Sequence, residues 1–167
     1  MNDHASVAVT VLTAVGCGLN GRIFFAFSAF VMPGLDRLEP VQGNEAMQAI
    51  NVAAVTPPFM ASLFGTALGC IALAISSLLR WPEPGNGWII GGCLLCLAGT
   101  IGVTIVFNVP RNNHLAASPP DTAEGTTGWD GYVSSWTRWN SVRAIAGATA
   151  AAALTVGLVI GRAGTAR

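Results

Sequence analysis

Lysine is absent from this 167-residue chain: all eight basic residues are arginine, eight acids balance them, and only 10% of residues are charged. With zero formal net charge and no basic run, the chain lacks the electrostatic footprint of a nucleic-acid binder. Side chains suited to proton transfer are scarce, with two histidines and one tyrosine. No Asp or Glu falls within the long apolar stretches, which disfavours proton-coupled transport through buried carboxylates.

What the chain has is apolar length. Residues of hydrophobic type make up 52% of it and the mean hydropathy is +0.57, well above an ordinary soluble domain. Ala46 to Leu79, Pro84 to Pro110 and Ala144 to Gly161 carry no charge, and Ala5 to Met32 is broken only by Arg22. Since about 20 apolar residues cross the hydrocarbon of a bilayer, the pattern predicts an all-α, four-transmembrane-helix bundle in a single domain. The expected spans are residues 5–32, 57–79, 87–107 and 141–161, with short interfacial helices near 43–55 and 129–140. The first segment has no basic n-region and no small-residue cleavage site, so it is read as a mature span.

Four spans put both termini and the turn "RWPEPGNG" on one face and two longer loops, 33–56 and 108–140, on the other. Arg80, Arg162 and Arg167 stand with Asp3 and Glu83 on the terminal face, while the looped face holds four arginines and six acids. Counting arginines, as the positive-inside rule requires, decides little; treating the looped-face arginines as functional puts the termini in the cytoplasm of a bacterial cell.

Cys17, Cys70, Cys93 and Cys96 all lie inside predicted spans and read as small core residues. "CLLC" places Cys93 and Cys96 on one helix face, the spacing of a redox pair, but no nearby charge would activate either thiol. GxxxG patterns at Gly65–Gly69 and Gly157–Gly161 allow close helix packing, within the bundle or between two copies in a homo-oligomer. A short internal similarity links "FVMPGLDRL", residues 30–38, to "FNVPRNNHL", residues 107–115, and predicts two proline-terminated helix ends on one face. In the first loop Met47, Ile50 and Ala54 form an apolar stripe with Glu45 and Gln48 off it, although Asn51 falls beside that stripe. In the second, "ASPPDTAEGTTG" is rich in turn formers.

The polar chemistry concentrates in "GYVSSWTRWNSVRAIAG", residues 131–147. Helical spacing aligns Tyr132, Trp136, Trp139, Asn140, Arg143 and Gly147 on one broad stripe. Belt anchoring accounts for Trp129 and for Tyr132, but not for an amide and a guanidinium sharing the aromatic face. Arg22 sits about ten residues from Pro33, roughly 15 Å into its span at 1.5 Å per residue. A lipid-exposed Arg at that depth costs about 2.5–3.5 kcal/mol on insertion scales, so Arg22 is expected to face the bundle interior. The third group is "NVPRNNHL", with Asn108, Arg111, Asn112, Asn113 and His114. His114 is its one base titrating near neutral pH. The other histidine, His4, belongs to the opposite face and no Cys or Glu cluster stands out, so no protein-only metal centre is expected.

Four spans with "NVPRNNHL" after the third and "WTRWNSVRA" opening the fourth resemble the anthrone oxygenase-like integral membrane proteins. The resemblance covers nearly the whole chain and is carried by Asn108, Pro110, Asn112, Leu115, Trp136, Trp139, Asn140 and Arg143. It implies oxidation of anthrones or related phenols to quinones, with O2 as co-substrate and no established cofactor. On this reading His114 is a candidate base, and Arg22 and Arg143 stabilise an enolate and incipient superoxide. Asn108, Asn112 and Asn140 would bind substrate oxygens, while Tyr132, Trp136 and Trp139 would pack on the rings of a small hydrophobic aromatic substrate arriving through membrane lipid. Two alternatives stand beside it: a non-enzymatic carrier or accessory subunit for a hydrophobic anion, lipid or protein, and a pocket for haem or quinone.

Overall fold

The computed structural model describes the backbone of residues 3–165 and the side chains of 4–164. Arg167 and the Asp3 side chain, counted above among the terminal-face charges, lie outside the described residues. Five helices follow one another, and no strand occurs among the described residues. Helix α1 is Asp3–Ala26, extended through a π-helical turn, Phe27–Val31, into Met32–Leu35. Helix α2 is Pro40–Ala53, α3 is Pro57–Leu79, and α5 is the 43-residue Ala123–Thr165. Helix α4 joins Asn86–Leu94, two π-helical stretches, Leu95–Gly102 and Thr104–Asn108, and a final segment, Val109–Ala117.

Four of these, α1, α3, α4 and α5, are long and apolar enough to cross a membrane. Large apolar side chains such as Leu12, Phe25, Leu68, Ile105 and Ile145 point outward along all four, as lipid-facing positions should. The two longer connections do share a face, but they are mostly helix. The first is α2. The second shrinks to a turn at Ser118–Thr122, because α4 continues to Ala117 and α5 begins at Ala123. Thr122 sets that start: its Oγ1 accepts from the Gly125 N–H at 3.1 Å, an N-cap that supplies one of the orphan donors of the first turn. The expected separate helix at 129–140 is therefore the first part of α5.

Neither Pro33 nor Pro110 ends its helix where the sequence suggested. Each stands two residues after a π turn, Phe27–Val31 before Pro33 and Thr104–Asn108 before Pro110. A π turn shifts the hydrogen-bond register by one residue and so accommodates a ring that lacks a donor and crowds the preceding carbonyl. The short sequence similarity thus has a local structural counterpart in the same device at aligned positions.

Small residues set the helix spacing inside the bundle. At the crossing of α1 and α5, a Cβ on Gly147 would come within 3.0 Å of the Gly21 Cα and of the Cys17 carbonyl. On α3, Gly69 receives Thr13, and the left-handed Gly85 (φ 87°) of the α3–α4 turn abuts Gly157 of α5. Gly69, Gly157 and Gly161 of the two GxxxG patterns therefore serve internal packing, while Gly65 meets no described atom within 4 Å. Helix α2 lies across the end of the bundle, with Gly43 against the Trp129 ring and the Leu35 carbonyl. Gln48, expected to point away, turns inward and donates to Asn44 Oδ1 (2.9 Å) and to the Leu115 carbonyl (3.0 Å), tying α2 to α4.

Gly147→Val should destabilise the folded bundle by about 1–3 kcal/mol, because added methyls must push two backbones apart. Gly65→Val should have little effect. Thermal unfolding of the two variants in one detergent provides the comparison, and equal melting temperatures would contradict the assignment of the α1–α5 crossing.

Candidate functional site

A cavity of about 460 Å³ opens where α2 and the 54–56 linker meet α1, α3, α4 and α5. Its wall is chiefly apolar, with Phe24, Phe27, Met47, Phe59 and Leu63 among its members. Five polar residues also line it: Asn51, Thr56, Thr104, Asn112 and Arg143. A wider depression between α1 and α5 holds Asp36, Asp130 and Arg138, but those three residues are exposed and their charges solvated. The enclosed, mostly apolar cavity with few convergent polar groups is the better candidate for a small-molecule site.

Arg143 dominates this wall. It is only 5% exposed, and no carboxylate among the described residues lines the cavity with it. Its Nη2 donates to Asn140 Oδ1 at 2.7 Å and its Nη1 to Thr104 Oγ1 at 3.2 Å, while its Nε has no partner among the described residues. The guanidinium lies over the Phe24 ring, 4.2 Å from its centroid, and 5.4 Å from that of Trp136. Cation–π contacts of this kind contribute up to about 2 kcal/mol when desolvated. They offset part of the burial cost without neutralising the charge, so the site retains an excess positive charge beside the cavity, with the buried Nε left unbonded among the described residues.

A second set of bonds fixes Arg143 in place. Asn140, fully buried, donates to the Phe24 carbonyl (2.6 Å) and to Ser28 Oγ (2.7 Å), which joins α5 to α1 beside the π turn. Asn108 donates to the Trp136 carbonyl at 3.3 Å, joining α4 to α5. Asn112 Oδ1 accepts from Trp136 Nε1 (2.7 Å) and from the Tyr132 hydroxyl (3.0 Å). Two donors occupy that oxygen, so what Asn112 offers a ligand is its NH2 group.

The nine sequence candidates therefore divide into three groups. Arg143, Asn112 and Trp136 line the cavity. Asn140, Asn108 and Tyr132 stand behind it, and the expectation that the first two bind substrate directly gives way to positioning, since their amides hold helix to helix. The other three are set apart. Trp139 stacks on Phe107 at 3.5 Å and is absent from the cavity wall. His114 is exposed on the outer side of α4, and Arg22 is exposed on the outer side of α1. Arg22 was expected inside. The inward face of α1 is instead Thr10, Thr13, Cys17, Asn20, Gly21 and Phe24, and a residue next to Gly21 points about 100° away from it. Trp129, expected as a belt anchor, is 1% exposed and packs against Tyr132 under α2.

Sequence reasoning passed over Asn51, Thr104 and Phe24. Asn51 had left a signal, as the polar residue spoiling the α2 stripe. Thr104 and Phe24 sit in apolar runs and carry none. Nor did the sequence reveal a cluster that the fold assembles: the Sγ atoms of Cys17, Cys70 and Cys96, from α1, α3 and α4, lie within 4.8 Å of one another. The expectation of no cysteine cluster is corrected accordingly, because three separate helices supply the thiols.

Searches of curated proteins and of solved structures return no match to the chain. A family model described as anthrone oxygenase matches residues 54–154, well over half of the chain, from the cavity mouth through α3 and α4 into α5 beyond Arg143. The chain belongs to the anthrone oxygenase family.

Proposed function

We propose that the cavity binds a flat, weakly acidic aromatic molecule of the anthrone or phenol class and promotes its oxidation by O2. The observation that carries this reading is Arg143, a buried cation facing an apolar cavity with an unpartnered Nε and no carboxylate beside it among the described residues. Such a group favours the anionic form of a bound substrate and lowers its pKa. The wall holds no imidazole or carboxylate among its residues, so the proton passes to water at the 54–56 mouth rather than to a protein base. His114 accordingly loses the role of base that its sequence position suggested.

The chemistry balances with O2 alone. Loss of a proton from the anthrone methylene gives a delocalised oxyanion, which passes one electron to O2. Recombination of the resulting radical with superoxide forms a C–O bond, and a proton completes the hydroperoxide. Cleavage of the O–O bond with loss of the second ring hydrogen leaves the quinone carbonyl and one water. Arg143 stabilises the negative charge, Asn112 donates its NH2 to a substrate oxygen, and the ring of Trp136 with Phe24 and Phe27 packs on the aromatic faces. A carrier of hydrophobic anions would use the same wall but would consume no O2.

Purified protein or membranes containing it, supplied with a panel of anthrones and hydroquinones, should take up O2 and produce quinone absorbance. Arg143→Ala should lower turnover by about 10²–10³-fold, the loss typical of removing one oxyanion donor. Arg143→Lys should recover only part of it, since an ammonium restores charge without the planar fork. Undiminished turnover by Arg143→Ala at equal amounts of folded protein would refute the reading, and tight binding of the anion without O2 uptake would make the protein a carrier.

Leu63→Trp, which fills the cavity beside Arg143, should raise KM by at least about tenfold if the substrate lies there. His114→Gln and Arg22→Gln, both outside the cavity, should stay within about twofold of the parent kcat/KM. A large loss in either of these two variants would relocate the site.

A further inference from the structure

All four cysteines of the chain meet in one place. Cys17, Cys70, Cys93 and Cys96 are each 0–1% exposed, are free thiols and share one core cluster with Leu73, Ile89, Ala150 and Leu154. Three of them, Cys17, Cys70 and Cys96, bring their Sγ atoms within 4.8 Å of one another from three different helices. Packing alone asks only for small apolar residues at these positions, and alanine would meet that requirement without gathering every sulfur of the cysteine set. One turn from Cys96 on the same side of α4, Thr100 is 1% exposed and its Oγ1 has no partner among the described residues.

We infer that Cys17, Cys70 and Cys96 form a binding site for a single Cu(I) ion. A metal–thiolate bond of about 2.3 Å sets the sulfurs of a trigonal site about 4 Å apart, so the cluster needs to contract by no more than about 0.8 Å. The donor set is sulfur alone in an apolar shell, which selects a soft ion over Mg²⁺, Ca²⁺ or Mn²⁺. Zinc prefers four tetrahedral ligands, and the fourth thiol, Cys93, shares the cluster but stands outside the group whose sulfurs all lie within 4.8 Å of one another, while the cluster holds no carboxylate or imidazole among the described residues. Copper(I) is satisfied by two or three sulfurs. Coordination exchanges thiol protons for the metal: two thiolates around one Cu(I) leave a single negative charge in the core, with the third sulfur in longer contact.

The position of the cluster is defined by the cavity. Phe24 to Cys17 on α1, Leu63 to Cys70 on α3 and Arg143 to Ala150 on α5 are each seven residues, so the thiols lie roughly 10 Å further along the bundle axis than the Arg143 layer. Between the two layers stand Asn20, Thr66 and Thr100, all buried and polar, with Thr104 of the cavity donating to the Thr100 carbonyl at 2.7 Å. The inference does not depend on the oxygenase reading.

Full-length protein, purified in detergent under reducing and anaerobic conditions, should be titrated with Cu(I) against the chromogenic chelator bathocuproine disulfonate. One Cu(I) per chain is expected, with a sulfur-only first shell in X-ray absorption of the unaltered protein. Cys17→Ser, Cys70→Ser and Cys96→Ser should each weaken binding by at least about 100-fold, and Cys93→Ser by less than about tenfold. The X-ray absorption measurement needs no variant and holds even where a serine disturbs folding. Copper bound no more tightly than by a variant with all four cysteines changed to alanine, a nitrogen or oxygen shell, or displacement by equimolar Zn(II) would each overturn the site.

Discussion

A guanidinium buried without a carboxylate is the constraint around which the upper half of this bundle is arranged. Arg143 remains charged there only because Asn140, Thr104 and two aromatic faces replace part of its lost hydration. Asn140 in turn is fixed by the Phe24 carbonyl and Ser28 of α1, and that bond requires α1 and α5 to run close together. The pair Gly21 and Gly147 supplies the closeness, one turn from Phe24 on α1 and two turns from Asn140 on α5. A single requirement, holding one cation at a cavity wall, thus reaches back through an amide and a backbone carbonyl to two glycines on different helices.

The π turns belong to the same arrangement. One begins three residues after Phe24 on α1 and another begins at Thr104 on α4, so each of the two helices widens where it meets the Arg143 layer. A widened turn lets its helix carry a proline shortly afterwards and continue. On α4 the continuation is what delivers Asn112, two residues past Pro110, to the cavity and to the hydroxyl of Tyr132 and the indole of Trp136. Had Pro110 stopped the helix, the segment bearing Asn112 would be a loop, and loops hold donors less firmly than a packed helix does.

The number of long apolar helices was legible because hydropathy and length depend only on composition along the chain, whereas the third and fourth run well past the expected 107 and 141 because polar segments continue the same helices. Arg143 and Trp136 drew attention because helical spacing puts a guanidinium on an aromatic face, and Asn112 through the polar segment after the third span and the family resemblance; all three line the cavity. Arg22 and His114 were misplaced because composition says nothing about helix rotation. Rotation was nonetheless written in α1, whose small and polar residues Thr10, Thr13, Cys17, Asn20 and Gly21 trace a helical stripe that excludes position 22. The same holds on α4, where Cys93, Cys96, Thr100, Asn108 and Leu115 mark the inner side and leave His114 outside. The thiol cluster was illegible for another reason: it depends on the relative heights of three helices, which packing alone fixes.

Helix α3 provides a ruler for depth, since its 23 residues span about 35 Å, close to the thickness of a bilayer core. Leu63 lies six residues from Pro57, so with α3 laid across a bilayer the Arg143 layer is about 9 Å from the interface rather than at the midplane. Arg22, at nearly the same level on the outer side of α1, is then within reach of headgroups by extending its side chain, and its exposure carries a far smaller penalty than a central position would. Cys70, thirteen residues from Pro57, falls near the middle at about 20 Å. The cation therefore lies within reach of a mouth that the exposed Val55 flanks, while the thiols lie in the apolar core about 10 Å further in. Cover over that mouth comes from α2, whose Gln48 and Asn44 bind it to the ends of α4 and α5, so the cavity opens to the side of the bundle rather than along its axis.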